Sequence, residues 1–146
     1  LAGTCADMGM PAVAVTDTNN MFAALEFSTL ASGAGIQPIM GCQVDVAFDP
    51  PAPGEKPRPF AALVLLAQDE AGYMNLEKLN SCLYLRTDGQ LPHVTLDELE
   101  QYSAGVICLT GGPEGPIGQF LQNGQTPKAE ALMKRLAAAD PLSQQA

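Results

Sequence analysis

Apolar residues between Gly9 and Phe48 change their spacing twice. Ala12 to Val15 is a short continuous run, stopped by Thr16, Asp17, Thr18, Asn19 and Asn20. Such polar side chains bond nearby backbone N–H groups and therefore favour turns and helix starts. Met21, Phe22, Leu25, Leu30 and Ala31 then recur at near-helical spacing up to Gly33-Ala34-Gly35, where glycine accepts the left-handed backbone of a helix exit. From Ile39 to Phe48 the pattern is again that of a strand. Strand, loop, helix and strand make one β-α-β unit, the building block of parallel sheets and barrels, in which the polar loop after the strand is the usual seat of chemistry.

The flanks repeat the alternation. Leu1 to Met8 reads as the tail of a helix, with Gly9 as its exit and Pro11 opening the next strand. Residues 49–59 carry five prolines and Gly54, which cannot extend a strand ladder, so a proline-rich exposed loop is expected there. Phe60 to Ala67 is a continuous apolar run that fits a buried strand. Asp69 and Glu70 suit the positive start of a helix on which Leu76, Leu79 and Leu83 share a face. After a turn-rich connection from Thr87 to Pro92, Thr95-Leu96-Asp97-Glu98 is a capping box that starts a short helix. Val106 to Thr110 is another buried strand, ended by Gly111-Gly112-Pro113. Thr126 and Pro127 open a last helix with Ala129, Leu132, Met133, Leu136 and Ala137 on one apolar face. The alternation as a whole predicts an α/β layered or barrel fold.

Composition narrows the class. At 146 residues, 47% hydrophobic and 16% charged, the chain has the make-up and length of one soluble globular domain with a sizeable core. No apolar run approaches the length of a membrane span. The net charge is −9, and the seven basic residues are mostly scattered. A nucleic-acid surface needs clustered cations that displace counterions, so contact with DNA is not expected through this stretch. Cys5, Cys42, Cys82 and Cys108 are widely spaced with no C-x-x-C pair, which reads as reduced, partly buried thiols of a cytoplasmic protein rather than a disulfide framework or zinc site.

Four segments, MGMPAVAVTDTNN, AGIQPIMGCQV, LVLLAQDEAGYMNLEKLN and VICLTGG, occur in an order that resembles the amino-terminal PHP (polymerase and histidinol phosphatase) domain of the alpha subunit of bacterial DNA polymerase III. The resemblance covers nearly the whole chain. It implies a distorted seven-stranded β/α barrel, of which residues 1–146 would be a single incomplete PHP domain, truncated at both ends. It also implies a metal cluster held by histidines, carboxylates and a cysteine at the barrel mouth, used for phosphoester hydrolysis.

Carried over position by position, that cluster is depleted. Where active members read Thr-Asp-His, this chain reads Thr16-Asp17-Thr18; where they read Gly-x-Glu, it has Gly41-Cys42-Gln43. Ala62 stands where a histidine precedes the Leu-x-Leu-Leu-Ala strand, and Gly112 where a cysteine closes Ser/Thr-Gly-Cys. The vestigial ligand positions are thus Asp17, Thr18, Gln43, Ala62 and Gly112. Only Asp17 keeps a group of the kind that transition metals bind, so no metal, no catalytic residue and no cofactor is expected in this stretch. Plainer roles stand beside these: Asp17, Asn19 and Asn20 as turn and helix-start residues, His93 as a surface or half-buried structural residue, Cys42 and Cys108 as small hydrophobes, Gly111 to Gly115 as a tight turn, and Asp97, Glu98 and Glu100 as a solvated helix face.

Two function readings follow. In the first, the chain is a degenerate PHP segment of a replicative, DNA-directed DNA polymerase, retained as scaffold. Its partners would be the remainder of the alpha subunit and a proofreading exonuclease subunit, with DNA bound, and magnesium used for nucleotidyl transfer, in other domains. In the second it is a metal-dependent phosphoesterase of the histidinol-phosphatase type. Ligand content favours the first.

Overall fold

A computed structural model describes residues 1–49, 60–86 and 89–139. Its framework is the β-α-β unit read from the sequence. Strand β1 (Ala12–Thr18) pairs in parallel with β2 (Gln37–Ala47) across helix α2 (Ala24–Gly33), and a short α1 (Ala2–Asp7) precedes it. Gly9, at φ 69°, supplies the left-handed exit of α1. The other strands depart from a parallel pattern. β3 (Ala61–Ala67) runs antiparallel to β2, and β5 (Val106–Leu109) antiparallel to β3, while a two-residue β4 (Val94–Thr95) adds in parallel to the end of β2. Among the described residues this makes one mixed sheet of five strands with six helices. The expected proline-rich loop falls, beyond Asp49, outside the described residues.

One face of the sheet is covered. Cys42, Val44 and Val46 of β2, Leu63 and Leu65 of β3 and Val106 of β5 point into a core closed by α3 (Glu70–Leu85), α4 (Leu96–Gln101), α5 (Pro116–Gln122) and α6 (Thr126–Ala139). Leu76, Leu79 and Leu83 of α3 are buried as their spacing predicts, and burial of each such side chain contributes roughly 1.5–3 kcal/mol. Asp69 caps α3 by accepting from Gly72 N (2.8 Å). That helix start packs so tightly that a Cβ on Gly72 would sit 1.8 Å from the Gly105 carbonyl oxygen. The capping box of α4 forms in full, Thr95 accepting from Glu98 N and Glu98 from Thr95 N.

Several expectations are corrected, and one helix is added. Helix α2 begins at Ala24 with no side-chain cap, and it buries Ala24, Phe27 and Ala31 while Phe22, Leu25 and Leu30 face outward. The glycine run from 111 is the tight turn expected, of 3-10 form, but it leads into α5, which the sequence pattern does not predict: Pro116 occupies its first turn, and a helix of seven residues with only Pro116 and Phe120 buried leaves little periodic signal. Asp97, Glu98 and Glu100 are not simply solvated: Arg135 of α6 bonds to Asp97 and Glu100, and Arg86 at the end of α3 to Glu98. His93 is buried rather than at the surface, its ring stacked on Phe60 (4.3 Å between centroids) and its Nδ1 donating to the Leu91 carbonyl (2.9 Å).

Candidate polar site at the strand ends

The side chains at issue sit where β1, β2 and β5 end and β3 begins. Thr18 is the register partner of Gln43, whose Nε2 donates to Thr18 Oγ1 (3.3 Å). Gln43 in turn stands opposite Val64, and Asp45 opposite Ala62, because β3 runs back along β2. Strand alternation places Thr18, Gln43, Asp45 and Ala62 on the face away from the helical core, since their neighbours Cys42, Val44 and Leu63 point into it. The exit of β5 closes the group: Gly111, at φ 75°, lies so near β3 that a Cβ there would meet the Ala62 carbonyl oxygen at 2.7 Å, and Gly112 follows at φ 61°.

Asp17 is the exception among the sequence-chosen positions. Its register partner is Cys42, so its side chain lies on the opposite, helix-covered face. The apolar run that stops at Val15 hides this, because the strand continues through Thr18 and its alternation extends with it. Asp17 instead acts on Cys42. The Cys42 Sγ lies 3.4 Å from the Asp17 carbonyl oxygen and 3.3 Å from that of Asn20. Burial, and secondarily the Asp17 charge, push the Cys42 thiol up to about 11, so it stays a protonated small hydrophobe at neutral pH.

The carboxylate on the open face is Asp45, which the ligand-position argument does not single out. A polar residue between Val44 and Val46 in a strand with one buried face is the signal that points to it. Asp45 accepts from Asn19 Nδ2 (2.8 Å) through Oδ2 and donates from its backbone N–H to Asn19 Oδ1 (3.0 Å). Asn19 itself is held left-handed at φ 55°, its N–H donating to the Gln43 carbonyl (2.7 Å) and its carbonyl accepting from Tyr84 Oη (2.8 Å). Asn20 makes a turn of its own, its Oδ1 accepting from Phe22 N (3.1 Å). Asn19 and Asn20 thus serve as turn residues.

The donor set at the strand ends is therefore a hydroxyl, two amides and one carboxylate, bonded to one another in pairs. Among the described residues no three histidine, cysteine, aspartate or glutamate side chains come together as metal ligands. Threonine and the amides are weak donors to zinc, manganese or iron, so this set does not fit a transition-metal cluster. What it can do is tie the β1 exit to β2. Two clefts of about 590 Å³ lie elsewhere, one by Pro38, Ile39, Leu66, Ile107 and Tyr73, the other between α3 and α4.

Comparison with known proteins turns this geometry into a family assignment. The family model described as PHP domain matches residues 1–140. The chain belongs to the PHP domain family. Among the relatives of this PHP chain, the DNA polymerase III subunit alpha of Caulobacter vibrioides is 38% identical over 133 residues, covering 90% of this chain and 12% of the relative. That of Pseudomonas aeruginosa is 38% identical over 136 residues, 92% of this chain and 11% of the relative. The Treponema pallidum protein of the same name is 34% identical over 142 residues, 94% and 12% respectively. The PHP chain thus spans about a tenth of the length of the curated relatives it matches. Among its described residues no helix is long and apolar enough to cross a membrane.

Proposed function

We propose that this chain is the PHP segment of a replicative DNA polymerase alpha subunit, acting in DNA replication as scaffold rather than as a hydrolase. The observation that carries the reading is the polar network at the strand ends. Thr18 and Gln43, two of the positions where the resemblance would put metal ligands, bond to each other beside the Asn19–Asp45 pair, and Asp17 lies on the other face of the sheet. Side-chain bonds here tie the end of β1 to β2. The names and coverage of the relatives support the parent being a DNA-directed DNA polymerase, a nucleotidyltransferase whose magnesium-dependent chemistry and DNA contacts lie in other domains.

Within that parent the five described strands would complete the distorted seven-stranded barrel with strands from outside residues 1–146. The scaffold would hold the remainder of the alpha subunit and dock a proofreading exonuclease, in the cytoplasm. The test is elemental analysis of the full-length protein after mild purification, with phosphodiester hydrolysis assayed with and without chelator. No bound transition metal at the PHP domain and no chelator-sensitive hydrolysis by it are expected. Near-stoichiometric metal with hydrolysis that disappears in Thr18→Ala or Asp45→Ala variants would replace the scaffold by a metal-dependent phosphoesterase.

A further inference from the structure

We draw no further inference here: the strongest candidate, the cleft of about 590 Å³ between α3 and α4 lined by Lys78, Cys82, Arg86, Glu98 and Tyr102, has its guanidinium and its carboxylate bonded to each other, and nothing in the structure points to a ligand for it.

Discussion

The layer formed by α3, α4 and α6 and the corner formed by α1, β1 and α2 use similar amounts of apolar sequence in opposite ways. In the layer, Leu76, Leu79, Leu83, Leu99, Leu132 and Leu136 go inward and charges outward: Leu79 is fully buried beneath a surface that carries Lys78 and Glu77. In the corner, Ala24, Phe27 and Ala31 go inward while Leu25 and Leu30 of the same helix go outward. The layer is finished, with caps, ion pairs and a closed core; the corner has a finished inner side only. Hydrophobic spacing identifies a helix in both, but it identifies the inward side only where one side alone is apolar.

Truncating the layer gives the largest expected effect. Leu79→Ala should cost on the order of 2–5 kcal/mol, seen as a lower urea midpoint, because the fully buried site leaves a cavity. A loss under about 0.5 kcal/mol would place this site with ordinary surface positions and erase the contrast.

The seam between the two regions is Cys42, on the strand that joins them. Its folded value of about 11 lies above the ordinary 9.0, so the folded state holds the proton more tightly. The associated stability is fully present below pH 9.0 and falls as pH rises toward about 11. The fall is on the order of 2 kcal/mol. Denaturation midpoints of the parent chain and Cys42→Ala, compared from pH 8 to pH 11, check it: parallel curves would show that burial of the thiol is not what separates the two states.

Thr95→Ala removes one half of the capping box on the finished side, with an expected loss of about 1 kcal/mol in the same unfolding assay. Leu25→Ala, in the 146-residue chain, should change stability least, by less than about 0.5 kcal/mol, because the side chain gives up little burial. A loss as large as that of Leu79→Ala would mean that the corner is packed in isolation and would end the comparison.

Local signals are legible where one short stretch contains both partners. The capping box needs only Thr95 and Glu98, the start of α3 only Asp69 and the first turn, and the glycine at position 9 only a backbone that must turn left-handed. The β-α-β unit is legible too, because a strand, a helix and a strand in succession leave few ways to pack. The helix α5 is not, since a proline start and one buried aromatic give no period to count. His93 reads as nearer the surface than it is, because its ring partner Phe60 is distant in sequence.

The sequence by itself determined the α/β class, the family resemblance and which ligand-type residues stand at the matching positions, because these depend on residue identity and spacing along the chain. The tertiary structure alone decided that β3 runs back along β2, that Asp45 rather than Asp17 shares a face with Thr18 and Gln43, and that α2 turns its leucines outward. Each of these depends on strand register and on what packs against an element, contacts between residues far apart in the chain. A one-residue shift of register would move a strand's carboxylate to the other face of the sheet, and no count of apolar residues carries that information.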